Sequence, residues 1–222
     1  MTPDQYAATI TALVPEAPAQ LGAALELTLA RASGFATEAA RLEISPPHAE
    51  ALLSSADALV ATAVRNPGKL HTCLATAASR AEPGCIRSFV ETFGKKAFRR
   101  PLGQDEVSDY VAFFETEANK GSADLALDQL LHAFLLSPNF LFRTELGSPS
   151  GAEAGRITSY ERASALSYLL LDGPPDDELM QAAGNDELDS AAQLEAHVRR
   201  LIKTPEAARG LRKFFSLARQ PA

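Results

Sequence analysis

Apolar side chains in this chain recur every three or four residues in short stretches, and each stretch is cut off by proline or glycine. Ala49, Leu52, Leu53, Ala56, Leu59, Val60 and Val64 form one such stripe, stopped by Asn66-Pro67-Gly68; Val107, Tyr110, Val111 and Phe114 form another. That interval keeps side chains on one face of an α-helix, whereas a strand would need alternation. The pattern predicts an all-α protein, a multi-helix bundle. Its helices are expected over residues 3–13, about 18–31, 48–64, about 67–79, 84–98, 104–119, 122–136 and 158–171, then from Asp176, over about 190–203 and over 205–218.

Punctuation sets the boundaries. Thr2 is placed to cap the first helix, with Pro3 at its first position and Asp4 in its first turn. Pro15, Pro18 and Gly34 break the next stretch, and a loop follows to Pro47. Thr158-Ser159-Tyr160-Glu161 has the form of a capping box, in which hydroxyl and carboxylate satisfy each other's backbone N–H groups. Between Gly147 and Gly155 the chain is Gly, Ser, Pro, Ala and Glu, the composition of a short linker joining two helical subdomains. No period of roughly 20 to 50 residues repeats, which argues against a solenoid.

Composition narrows the function classes. Tryptophan is absent and tyrosine numbers 4, so the usual stacking platform for sugars or bases is missing. The net charge is −7, which argues against a nucleic-acid partner, since phosphate contacts need a surplus of Lys and Arg on the contacting face. No apolar run approaches the roughly 18 residues of a transmembrane helix, and the first residues read as a helix start rather than an export signal. Lys69, Arg80, Arg87, Lys95, Lys96, Arg99 and Arg100 fall within residues 66–102 against only Glu82 and Glu91, so attraction to the acidic flanking segments is expected.

Familiar catalytic and cofactor signatures do not occur. There is no Gly-x-Ser-x-Gly elbow, phosphate loop or dinucleotide fingerprint, and no Cys-x-x-Cys-His for covalent haem. The expectation is no catalytic residue, no metal and no cofactor of the chain's own. His48, His71, His132 and His197 stand on separate elements, and only His132, beside Phe134 in an apolar run, invites a search for burial. Asp176-Asp177-Glu178 and Asp186-Glu187-Asp189 lie at helix starts, where the dipole accounts for them without calcium. Cys73 and Cys85 bracket Pro83-Gly84 and are disulfide candidates, the alternative being two independent buried thiols. A bridge over a loop of this size contributes roughly 3 kcal/mol and implies an oxidising compartment.

The most particular stretch is Phe93-Gly94-Lys95-Lys96-Ala97-Phe98-Arg99-Arg100-Pro101-Leu102. Phe89, Phe93 and Phe98 are suited to anchor a helix end, the cations suit its C-terminal dipole, and Pro101 stops it. Arg99 and Arg100 are expected to grip an internal carboxylate such as Glu145 or Asp177, or else an external anion. In Ser137-Pro138-Asn139-Phe140-Leu141-Phe142-Arg143-Thr144-Glu145, core aromatics and a structural ion pair are expected. Arg99, Arg100, Arg143 and Glu145 are thus the candidate ion-pair or anion cluster.

Three motifs stand in one order: Phe93 to Leu102, Leu136 to Glu145, and Ile157 to Leu170 followed by Pro175-Asp176-Asp177-Glu178-Leu179. Together they resemble the DUF1587/DUF1595/DUF1592 group of large multidomain bacterial proteins, best known from planctomycetes and myxobacteria. The resemblance implies a DUF1587-like helical segment over 1–66, a DUF1595-like domain over 67–146 and the N-terminal part of a DUF1592-like domain over 156–222. Family members continue beyond Phe214-Phe215-Ser216-Leu217, which implies a truncated or fragmentary member, and Leu171-Asp172-Gly173 stands where the family tends to carry Trp-Gly. Their company with cytochrome c-like domains in exported proteins implies a place in the periplasm or cell envelope and a c-type cytochrome as partner. The expected role is a noncatalytic interaction or scaffold module. The competing expectation is an envelope oxidoreductase or hydrolase, built on Arg99, Arg100, Arg143 and Glu145 and incomplete in this chain.

Overall fold

A computed structural model describes residues 1–14, 16–18, 21, 45–82, 84–147 and 155–218. Among these the regular elements are helices and 3-10 turns, with no strand, as the apolar period requires. The helix expected over 18–31 and the centre of the linker, 148–154, lie outside the described residues. The described chain falls into two compact units, one holding residues 1–8 and the chain from 143 onward, the other residues 9–21 and 45–142. The division thus comes at 142/143, a few residues ahead of the Gly/Ser/Pro segment.

Helix α1 (Pro3–Leu13) begins as its residues dictate: Thr2 Oγ1 accepts the Gln5 N–H at 3.3 Å and Gln5 Oε1 accepts the Thr2 N–H at 3.2 Å. Helix α2 (Pro46–Ala63) starts two residues before the expected His48, because Ser45 caps it and prolines are acceptable at the first two helical positions. Leu52, Ala56, Leu59 and Val60 of its stripe are buried, whereas Ala49 and Leu53 face outward.

The helix expected over 67–79 does not form. Pro67–Lys69 and Thr72–Leu74 are single 3-10 turns, and only Ala77–Arg80 (α3) is α-helical. His71 and Thr76 are both extended, and each side chain accepts a backbone N–H two or three residues on, His71 Nδ1 from Cys73 and Thr76 Oγ1 from Ser79. Such local caps restart the backbone twice and outcompete a continuous helix. The Cys73–Cys85 disulfide, with Cα atoms 5.7 Å apart, ties the segment to the next helix.

Helices α4 (Cys85–Phe98), α5 (Gln104–Lys120) and α6 (Ala123–Leu135) carry the core of this unit, with α4 packed on α5, α5 on α6, and α6 on α2. Phe89, Phe93, Phe98 and Phe134 are buried, and Phe134 touches Phe93, Phe98 and Tyr110, the last stacked at 4.2 Å. Gly94 lets Leu102 and Phe134 close on α4: a Cβ there would lie 2.6 Å from Leu102 Cδ1. The single turn α7 (Pro138–Leu141) follows, and the chain becomes extended at Phe142. Phe140 is buried and Phe142 is exposed, which leaves one core aromatic where two were expected.

In the other unit, α8 (Ser159–Leu171), α9 (Asp177–Gly184), α10 (Ala191–Leu201) and α11 (Pro205–Ala218) pack around α8. One buried cluster there is aliphatic and small: Ala163, Leu179, Ala182, Ala183, Leu188 and Leu201. Gly210 brings α11 close to α8, since a Cβ would stand 2.9 Å from the Leu170 carbonyl oxygen. No described helix is long and apolar enough to cross a membrane.

Candidate functional site

Arg99 follows the last residue of α4 in the left-handed region, at φ 59°, with its side chain turned inward and only 5% of the residue exposed. Its guanidinium donates to the carbonyls of Ala97 (3.1 Å), Asn139 (2.7 Å), Phe140 (3.2 Å) and Phe142 (2.8 Å). These are carbonyls at the C-terminal end of α4 and along and just after α7, which a short helix cannot satisfy by itself. A buried cation that donates to carbonyl dipoles at helix ends acts as a capping device.

Arg100 makes the fork that the sequence suggested, with a different carboxylate. Its two terminal nitrogens each donate to Glu106 at 2.8 Å, while Glu106 also accepts the Gly103 N–H at 2.8 Å and so caps α5. The Arg100 hydrogen bond holds the Glu106 carboxyl below its ordinary value against the opposing effect of burial, and Glu106 in turn raises Arg100. Glu145 and Asp177 are exposed, and neither has an ion-pair partner among the described residues. The expected grip on those two is therefore replaced by Glu106, six residues along the chain and brought round by the Pro101-Leu102-Gly103 turn.

Arg143 lies over the ring of Tyr168, its guanidinium carbon 4.8 Å from the centroid, a cation–π contact. Tyr168 is buried. Each arginine of the proposed cluster thus has its own setting.

Glu161 does more than close the capping box. Oε2 accepts the Thr158 N–H at 2.7 Å, and Oε1 accepts the N–H groups of Leu146 (2.8 Å) and Gly147 (3.1 Å). One carboxylate therefore holds residues 146 and 147 to the start of α8. Burial pushes its carboxyl upward, but the hydrogen bonds from Thr158, Gly147 and Leu146 outweigh that and leave it lowered. Gly147, at φ 73°, is required there, since a Cβ would meet the Arg156 carbonyl oxygen at 2.5 Å.

The acidic clusters are absorbed in the same manner. Asp176 caps α9 through the Leu179 N–H and receives both ends of the Arg200 guanidinium at 2.6 and 3.0 Å, which lowers its carboxyl. Asp189 pairs with Arg162, and Ser159 Oγ donates at 3.1 Å to Asp186 and Asp189. Among the described residues no group of three or more His, Cys, Asp or Glu is placed to hold a metal ion.

Of the histidines, His132 bridges helices: Nε2 lies 3.0 Å from Asp57 of α2 and Nδ1 2.9 Å from the Asp128 carbonyl. It is partly exposed rather than buried, and His48 is the histidine that α2 buries. His71 stands beside the disulfide, Nδ1 3.1 Å from Cys73 Sγ and Nε2 3.4 Å from Ser88 Oγ, its ring edge-on to Phe89. Sequence reasoning had set His71 apart from chemistry, although its position two residues before Cys73 was the available signal.

Comparison with known proteins follows the helical boundaries. No curated protein and no solved structure matches the chain. Residues 1–66, where the motifs suggested a DUF1587-like segment, lie outside both of the family matches. Residues 85–145, from the first residue of α4, match the family model described as a protein of unknown function, DUF1595, and residues 157–218, from just before the capping box to the end of α11, match that described as a protein of unknown function, DUF1592.

Proposed function

We propose that this chain is a noncatalytic helical interaction module of a bacterial envelope protein, which positions neighbouring domains and works alongside a c-type cytochrome-like redox partner. Residues 1–66 are its DUF1587-like segment. The observation that carries this reading is the placement of Arg99: the most particular motif in the sequence sends its cation into the interior to cap backbone carbonyls. Arg100 on Glu106 and Arg143 on Tyr168 extend the same use of charge. An enzyme built on these arginines would have to break all three arrangements to reach a substrate.

The net charge of −7 suits a basic redox partner, since complementary charge raises the encounter rate more than the final affinity. Titrating the purified chain with a soluble basic c-type cytochrome, read by calorimetry or by NMR shifts, is expected to show weak, salt-sensitive binding. Turnover of ester, peptide or redox substrates that is lost in Arg100→Ala or Arg143→Ala, or haem or metal retained in stoichiometric amount, would overturn the proposal.

A further inference from the structure

We propose that Cys73 and Cys85 form a thiol–disulfide exchange site, with Cys73 as the attacking sulfur, His71 as its base and Cys85 as the resolving sulfur. This goes beyond the scaffold reading and rests on a separate part of the molecule. Its substrate class is an accessible external disulfide.

Four features distinguish this bridge from a purely structural staple. The first is an imidazole in contact with one sulfur: His71 Nδ1 lies 3.1 Å from Cys73 Sγ. The same Nδ1 accepts the Cys73 backbone N–H at 3.3 Å, and Nε2 faces Ser88 Oγ at 3.4 Å. Nε2–H donation to Ser88 leaves the Nδ1 lone pair directed at Cys73, the tautomer that a base for this thiol requires. Contact with Phe89 fixes the ring in that orientation.

The second feature is the asymmetry of the two sulfurs. Cys73 is partly exposed, whereas Cys85 is buried. An external disulfide therefore reaches Cys73, and Cys85 is left to resolve. The third is the position of Cys85 as the first residue of α4, a helix of 14 residues, where the dipole favours a thiolate. That placement supports the bridge's opening as well as its closure, because a stabilised thiolate is a better leaving group. The fourth is what the bridge encloses: the end of one 3-10 turn, with Leu74 buried, and α3, which buries none of its residues. Opening the bridge loosens this segment while the rings around Phe134 keep their contacts.

In the reduced protein the Cys73 S–H proton passes to His71 Nδ1. The Cys73 thiolate attacks one sulfur of R–S–S–R, forming a Cys73–S–S–R mixed disulfide and expelling RS⁻, which takes the proton from His71. Cys85 gives its proton to solvent, and the Cys85 thiolate attacks Cys73 Sγ, re-forming the bridge and expelling a second RS⁻, which takes a proton from solvent. Two electrons and two protons pass from the protein dithiol to the external disulfide, giving one protein disulfide and two RSH.

The test uses glutathione disulfide as the probe, with trapped adducts read by mass spectrometry at neutral pH. In Cys85→Ser, Cys73 is expected to form the glutathione adduct about tenfold faster than Cys85 does in Cys73→Ser, as a histidine-paired, accessible thiol should. His71→Asn keeps an acceptor for the Cys73 N–H and so keeps the local turn, but lacks the base; it is expected to slow the Cys73 reaction by about tenfold or more. Added imidazole should restore part of that rate, which a merely structural role would not allow. Peptide mapping of the adduct on reduced wild-type protein supplies the same assignment should a serine variant fail to fold. The proposal is overturned if the wild-type bridge stays wholly oxidised in glutathione redox buffers, if Cys73 reacts no faster than a free cysteine peptide, or if His71→Asn leaves the rate unchanged.

Discussion

In residues 45–142 helices meet through aromatic rings, with Phe93, Phe98 and Tyr110 arranged around Phe134. In residues 155–207 they meet through Ala163, Ala182, Ala183, Leu179, Leu188 and Leu201, with Tyr160 packed against that cluster and Tyr168 buried beside Arg143. The polar groups differ in step. Both units carry caps and bidentate pairs, Arg100 on Glu106 in the first and Asp176 on Arg200 with Glu161 on three N–H groups in the second, but the ring-packed unit also turns one arginine inward onto carbonyls. Orientation in the first case comes from interlocking rings and in the second from the termini.

Substitutions can break that contrast at its strongest point first. Phe134→Ala removes the ring shared by three neighbours and is expected to cost about 4 kcal/mol, read by chemical denaturation. Arg99→Ala strands buried carbonyls and is expected to cost about 3 kcal/mol, with Arg99→Lys recovering only part because an ammonium lacks the planar fork. A loss under about 1 kcal/mol in Arg99→Ala would mean that water satisfies those carbonyls and that the inward cap is dispensable.

In the alanine-packed unit the effects should be smaller and lie at the ends. Gly210→Ala drives a Cβ toward the Leu170 carbonyl oxygen and is expected to cost about 2 kcal/mol, seen as faster amide exchange in α8 and α11. Thr158→Ala removes the cap of α8 and should cost about 1 kcal/mol.

Acid sharpens the comparison further. Glu106, Glu161 and Asp176 are all held below their ordinary values, so the folded chain binds these protons less readily than the unfolded chain. Their contribution is present above the ordinary carboxylate range and is lost as pH falls through the lowered folded values. Stability should therefore decline below about pH 4.5, and NMR titration should place the midpoints of Glu106 and Glu161 below the ordinary glutamate value of 4.5. Midpoints at or above that value would remove the cap argument.

Much of this architecture was legible because it is local. The Thr158 box, the Asp176 start and the termination of α4 before Pro101 each rest on groups within a few residues of one another. The failures are also specific. The 67–79 stretch has helical apolar spacing, yet His71 and Thr76 cap the backbone where a helix would have continued. The partner of Arg100 was sought at a distance and lies six residues away, because a turn reverses the chain between them. The four-residue cluster predicted around Arg99 resolved into separate arrangements, since charge balance in a sequence does not say which acceptor a side chain reaches.

By itself the sequence determined that this protein is helical, where most helices start and stop, and which two cysteines could meet, because periodicity, caps and chain-breaking residues act over a few positions. Only the tertiary structure decided that Arg99 holds carbonyls, that Glu161 gathers residues 146 and 147, and that His71 touches Cys73. Hydrogen-bond partners depend on distances between side chains and remote backbone, and those distances exist only once the helices have packed.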